Sequence, residues 1–260
     1  MSFRPIAVNG QALAGGRLPA VCAPLVAPTL PQLQAEARQV AGKKPDLIEW
    51  RVDFFQALAD TGAVLAAASA LRAAAGGIPI LFTRRSQREG GQPIALSEPA
   101  VVALYEAVCA AGVVDLVDFE MDNDAADLQR VRAAARSAGI GVVLSFHDFE
   151  RTPAAQVLAA RFAQAGELGA DVAKLAVMPT SMEDVHVLLG ATLHASRMLD
   201  IPVISMAMGP LGAVSRLCGG AFGSALTFAV GAAASAPGQM PIEDVRTGIA
   251  LLARAQGAGS

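Results

Sequence analysis

Eight short runs rich in Val, Ile, Leu and Phe alternate with eight longer runs rich in Ala, Leu, Arg and Glu along nearly the whole chain. Short apolar runs bounded by turn residues read as buried strands, and the longer amphipathic ones as helices. The pattern predicts strands near 20–27, 46–53, 79–85, 116–122, 141–149, 172–178, 202–208 and 225–230. Helices are predicted near 30–42, 61–75, 97–111, 124–138, 153–168, 181–197, 211–219 and 241–255. Strand-helix alternation implies parallel strands joined by right-handed crossovers. Eight such units within 260 residues are what an α/β fold of the (β/α)8 TIM barrel type requires. A doubly wound open sheet is the alternative, but no Gly-x-Gly-x-x-Gly turn follows the first strand.

Residues 5–19 fall outside the repeat. Asn9-Gly10 is a turn dipeptide, so this segment reads as a short N-terminal hairpin able to cover the barrel bottom. No linker, charge block or low-complexity stretch divides the chain, and residues 1–260 read as one domain. The formal charge of −3, one Trp and one Tyr give little grip on nucleic acid. No run of about 18 apolar residues is free of Gly, Pro or charge, so no membrane span is expected. The N-terminus lacks a signal-peptide layout. Cys22, Cys109 and Cys218 are too few and too widely spaced for a disulfide framework or a zinc site. The cytoplasm is the expected location.

Active sites in such barrels gather at the carboxyl ends of the strands, where alternate residues point inward. Polar residues in otherwise apolar strands are therefore the candidates. Glu49, Arg51 and Asp53 share one face of the second strand, and Glu49 with Arg51 reads as an ion pair. Arg84 and Arg85 end the third strand, one of them expected to be solvated, and Glu89 follows. Asp118, Glu120 and Asp122 share a face of the fourth strand. Ser145 and His147 share one of the fifth, and Met206 and Met208 one of the seventh. His186 and His194 lie on a predicted helix and are given no role.

Lys174 stands inside Val172-Ala173-Lys174-Leu175-Ala176-Val177, a run that would be fully buried. Desolvating an unpaired ammonium costs several kcal/mol or more. Either Lys174 is held in a structural ion pair, or surrounding cations leave it neutral enough to attack a carbonyl. With a histidine in the same pocket, the second reading points to imine chemistry, an aldol cleavage or an elimination. Residues 235–239, Ser-Ala-Pro-Gly-Gln, follow the eighth strand as a plausible flap or an ordinary turn. Arg216, after the seventh, has the fork geometry that clamps a carboxylate.

Six pieces occur in order: Glu49-Trp50-Arg51-Val52-Asp53; Phe82-Thr83-Arg84-Arg85-Ser86 with Glu89-Gly90-Gly91; Ser145-Phe146-His147-Asp148-Phe149; Ala173-Lys174-Leu175-Ala176; Met206-Ala207-Met208-Gly209 with Ser215-Arg216; and Ser235 to Gln239. Together they resemble the type I 3-dehydroquinate dehydratases, over about residues 46–246. The resemblance implies a TIM barrel lyase of the shikimate pathway that removes water from 3-dehydroquinate by syn elimination. It implies catalytic roles for Lys174 as imine former, His147 as general acid and base, and Glu89 as its orienting partner, with Asp118 as a helper. It implies substrate binding by Glu49, Arg51, Arg85, Arg216, Ser235 and Gln239, with packing by Met206, Met208 and Phe228. No metal, nucleotide or nicotinamide is implied, and a homodimer is common in the family. Arg84 and Phe146 depart from the pattern: the first adds a cation that could alter the entrance, the second could remove a hydrogen bond beside the base. Other readings are a class I aldolase type of Schiff-base barrel, which would want a phosphate cradle, and a non-catalytic sensor of quinate-like ligands.

Overall fold

The computed structural model describes residues 3–257. Ala7–Val8 (β1) and Gln11–Ala12 (β2) form an antiparallel hairpin. Its turn residues Asn9 and Gly10 have φ of 50° and 76°, the positive pair that a two-residue hairpin turn needs. Eight parallel strands follow: Ala20–Leu25 (β3), Leu47–Arg51 (β4), Ile80–Thr83 (β5), Leu116–Glu120 (β6), Gly141–Asp148 (β7), Val172–Val177 (β8), Val203–Ala207 (β9) and Leu226–Phe228 (β10). They pair in the order β10-β3-β4-β5-β6-β7-β8-β9. A bridge between Val203 and Ser224, with the Ala225 N–H donating to the Val203 carbonyl at 2.8 Å, nearly closes the ring. The barrel, not the open sheet, is the architecture.

Each strand is followed by a helix, in order Leu30–Gly42 (α1), Thr61–Ala75 (α2), Glu98–Ala111 (α3), Ala125–Ser137 (α4), Ala155–Glu167 (α5), Met182–Met198 (α6), Gly209–Cys218 (α7) and Ile242–Ala255 (α8). Their starts carry the expected chemistry. Asp60, Asp124 and Ser181 accept hydrogen bonds from first-turn amides, and α1, α3 and α7 have proline in the first turn. Among the described residues, no helix is long and apolar enough to cross a membrane.

Two apolar layers result. The larger lies between sheet and helices and contains Trp50, Phe82, Tyr105, Phe119 and Leu144. The smaller fills the lower barrel interior, where Leu47, Leu81, Leu116, Val143, Val172 and Leu226 meet Ile6, Val8 and Leu13 from the hairpin region. The hairpin thus covers the bottom, as its position outside the repeat suggested.

Three aspartates just before β4, β6 and β8 tie the lower rim together. Asp46, Asp115 and Asp171 accept from the backbone amides of Val21, Ile80 and Val142 at 2.7–2.8 Å. Each joins the start of one strand to its neighbour, satisfying an amide where the ladder begins.

Candidate active site

Above the apolar floor the interior becomes charged. The third residue after each rim aspartate is Glu49, Asp118 or Lys174. These sit on alternate strands, which supply one layer of a barrel interior. Lys174 Nζ lies 2.8 Å from Asp118 Oδ2 and 3.7 Å from Glu49 Oε1, and 4.6 Å from the centre of the Phe228 ring. Lys174 is 3% exposed. Its nearest charged groups are two carboxylates, not the cations anticipated, so the ion-pair reading describes its resting contacts.

Arg85 is the hub of the adjoining strands. Its guanidinium donates to Asp118 at 2.7 Å, Ser145 Oγ at 2.9 Å, Glu120 at 3.1 Å and Glu89 at 3.4 Å. Those carboxylates hold its pKa above the ordinary arginine value despite burial. Ser145 in turn donates to Asp118 at 2.6 Å. Asp118 is pushed well below the usual carboxylate range: burial acts to raise it, but Arg85 and Lys174 outweigh that effect.

His147 Nδ1 lies 2.7 Å from Glu89 Oε2. Burial, reinforced by Arg85 and Lys174, lowers the imidazole's pKa well below its usual value. Burial also raises Glu89, to about 8, with Glu120 and Asp118 adding to the effect against Arg85. Desolvation drives both partners toward their neutral forms, and they titrate as a pair. With Glu89 ionised, Nδ1–H donates to it and Nε2 keeps a lone pair. With Glu89 protonated, it donates to Nδ1 and Nε2 carries the proton. The pair therefore takes up or releases one proton at the nitrogen left free of Glu89.

One cavity is lined by Glu49, Arg51, Arg85, Glu89, His147, Lys174, Met206, Met208, Phe228, Ser235 and Gln239, together with Phe149, Ala176 and Ala236. Sequence reasoning did not place Phe149 here. Its ring lies roughly parallel to His147, with centroids 6.4 Å apart, and only its two-residue spacing from His147 signalled it.

Arg216, like the helper Asp118, is not on that lining. Its guanidinium is buried behind the 235–239 loop, donating to the carbonyls of Pro237 at 3.0 Å and Phe228 at 3.4 Å, while Nε has no partner. No carboxylate of the described residues pairs with it, and burial lowers its pKa to about 10. Such a cation suits an incoming carboxylate. That loop is braced from within: the Ser235 amide donates to Gln239 Oε1 at 3.0 Å, and Gln239 Nε2 to Ser235 Oγ at 3.2 Å. Gly238, at φ 76°, rests against Gly209, where a Cβ would approach the Gly209 oxygen to 2.3 Å.

Several expected pairings are corrected. Arg51 pairs with Asp53, not Glu49, through two bonds of 2.8 Å. β4 ends at Arg51, and the following helical turn at Val52–Phe54 brings Asp53 back onto the guanidinium. Glu49 instead accepts from Thr83 Oγ1 at 3.0 Å and faces Lys174. Neither tandem arginine is solvated, with Arg84 6% and Arg85 3% exposed. Arg84 turns away from the barrel interior toward Glu98 at the start of α3, so it adds no cation to the cavity. Asp122 lies beyond the end of β6 and binds Arg161 at the barrel exterior. Phe146 alternates outward beneath that same Arg161, 4.3 Å from its ring centre, so it is not beside the base.

Comparison with known proteins agrees with this geometry. Residues 21–256 match the family model "Type I 3-dehydroquinase". The chain is 56% identical over 258 residues to the 3-dehydroquinate dehydratase of Albidiferax ferrireducens, covering 99% of this chain and 98% of that protein. It superposes with a TM-score of 0.93 on the crystal structure of 3-dehydroquinate dehydratase from Geobacillus kaustophilus, at 51% identity, covering 97% and 98% of the two chains. The type I enzyme of Clostridium difficile, crystallised with covalently modified comenic acid, gives a TM-score of 0.92 at 35% identity, covering 97% and 99%. An eight-stranded barrel with an amine, an imidazole–carboxylate pair and two arginines lining one cup, together with matches along nearly its whole length, makes this chain a member of the type I 3-dehydroquinate dehydratase family.

Proposed function

We propose that this chain dehydrates 3-dehydroquinate to 3-dehydroshikimate through an imine on Lys174. The carrying observation is that Lys174 Nζ, the only amine on the cavity lining among the described residues, shares it with the His147–Glu89 pair. Nζ adds to the ring ketone, and loss of water from the adduct leaves a protonated imine. His147 Nε2 removes a proton from the carbon beside it, and the electron pair moves into an enamine rather than a costly enolate. That same proton is delivered to the β-hydroxyl, which leaves as water, and a second water hydrolyses the imine to return ketone and lysine. One imidazole serving both transfers requires proton and hydroxyl on the same face, a syn elimination.

The surrounding residues prepare this sequence. Asp118 aims the ammonium, and Glu89 orients and charges His147. Arg216 receives the substrate carboxylate as Ser235 and Gln239 close over it. Glu49, Arg51 and Arg85 hold ring hydroxyls, while Met206, Met208 and Phe228 pack the ring. The covalently modified comenic acid in the Clostridium difficile relative supports a covalent step. A phosphorylated sugar is a poorer fit. The Gly209 amide at the start of α7 donates to the Pro237 carbonyl at 3.3 Å, so the flap uses a donor that a phosphate cradle would need. A cytoplasmic homodimer is the state the family resemblance implies, and light scattering on the purified chain checks the dimer.

Lys174→Met tests the reading. Turnover should fall by ~10⁴ or more while circular dichroism stays that of the parent. Substantial remaining activity would exclude the imine.

A further inference from the structure

Tyr105 is the chain's single tyrosine and lies on α3, outside the barrel wall, with no contact to the cavity. It is fully buried. Its ring continues an edge-to-face row with Phe82 and Phe119, at 5.2 Å from each, so packing fixes where the hydroxyl sits. That hydroxyl accepts from the Arg84 amide at 2.9 Å and donates to the Asp118 carbonyl at 2.7 Å. The β5–β6 register ends at Thr83 opposite Asp118. One phenol therefore joins the two backbones at the point where the ladder stops. Burial keeps its proton on, well above the ordinary phenol range, so the donor is permanent.

The two backbone groups it joins belong to the residue before Arg85 and to Asp118 itself. Arg85 and Asp118 pair at 2.7 Å, and Asp118 holds Lys174 at 2.8 Å. We infer that Tyr105 is a positioning residue for the reaction, locking the carboxyl ends of β5 and β6 so that Arg85 and Asp118 hold the reacting amine in place. Without the hydroxyl, the Arg84 amide and Asp118 carbonyl lose their shared partner, and the strand ends can shift relative to each other. Displacements of this kind act on the chemical step more than on substrate binding. The inference rests on the Lys174 imine reading.

The test compares Tyr105→Phe with Val108→Ala, a second buried change on α3, in the full-length enzyme well below either melting temperature. Tyr105→Phe should lower kcat about tenfold with KM within about twofold, whereas Val108→Ala should lower Tm alone. Parent kcat in Tyr105→Phe, or an equal kcat loss in both variants, would overturn the assignment. Biosynthetic 3-fluorotyrosine labels Tyr105 alone and does not depend on the variant folding. Its ¹⁹F resonance should move when the borohydride-reduced substrate adduct forms, and an unmoved resonance would overturn the coupling. If the unmodified parent forms no adduct, the imine reading fails first, which separates the two failures.

Discussion

The lower and upper halves of the barrel interior are built from the same strands, yet they follow opposite rules. Below, Leu47, Leu81, Leu116, Val143 and Val172 fill the interior with the hairpin residues Ile6, Val8 and Leu13. Above, Glu49, Arg85, Asp118, Glu120 and Lys174 occupy equally buried positions, and His147 a half-buried one. Removing apolar surface from water stabilises the first region, by about 25 cal/mol per Å². Desolvating charges costs the second several kcal/mol per ion before pairing returns any of it. The floor carries stability, and the cup stores the electrostatics that chemistry needs.

The contrast can be broken from either side. His147→Ala takes a proton carrier from the cup, and kcat should fall by about 10²–10⁴. Because Lys174 remains, mass spectrometry should still detect some substrate adduct. Normal turnover would show that another group moves the proton. Leu116→Ala, in the floor at 2% exposure, should cost about 2–5 kcal/mol in denaturant unfolding. Its kcat at temperatures below melting should stay that of the parent. A large kcat loss there would mean that the floor sets the site directly and that the two halves are not separable.

A smaller effect sharpens the comparison through pH. Glu89 is raised from 4.5 to about 8, so its contribution to stability is present below 4.5 and lost as pH rises through about 8. His147 is lowered from 6.5, so its contribution is present above 6.5 and lost as pH falls. Just below 6.5 the two slopes oppose each other. From 6.5 to about 8 only Glu89 acts, and stability should decline with rising pH by at most ~1.4 kcal/mol per unit. Glu89→Gln should remove that decline. Denaturant midpoints across the range measure it, and an unchanged slope in the variant would place the raised pKa elsewhere.

Much of this was legible in the sequence for a physical reason. A buried strand tolerates few polar residues, so Lys174, His147 and Glu49 stood out against their apolar neighbours, and strand alternation told which faced inward. Pairing was harder to read. Residues two apart on a strand share a face but lie roughly 6–7 Å apart along it, so Glu49 and Arg51 do not have to meet. Each finds a partner from a neighbouring strand or a following turn, which sequence distance does not reveal. The motif separated Arg85 from Arg84, but not the reason: alternation sends Arg84 to Glu98 on α3 and Arg85 into the cup. The most informative overlooked signal was the spacing of Asp46–Glu49, Asp115–Asp118 and Asp171–Lys174. One rim aspartate and one charged interior residue, three apart on alternate strands, would have marked the charged layer from the sequence alone.

The central claim is covalent capture by Lys174. Borohydride reduction of the protein with 3-dehydroquinate, followed by intact mass and peptide mapping, tests it most directly. The account predicts one stable adduct, mapped to Lys174 and absent without substrate. A folded, substrate-bound protein with no adduct, or with the adduct on another residue, would contradict it and leave Lys174 as the ion-pair partner of Asp118 alone.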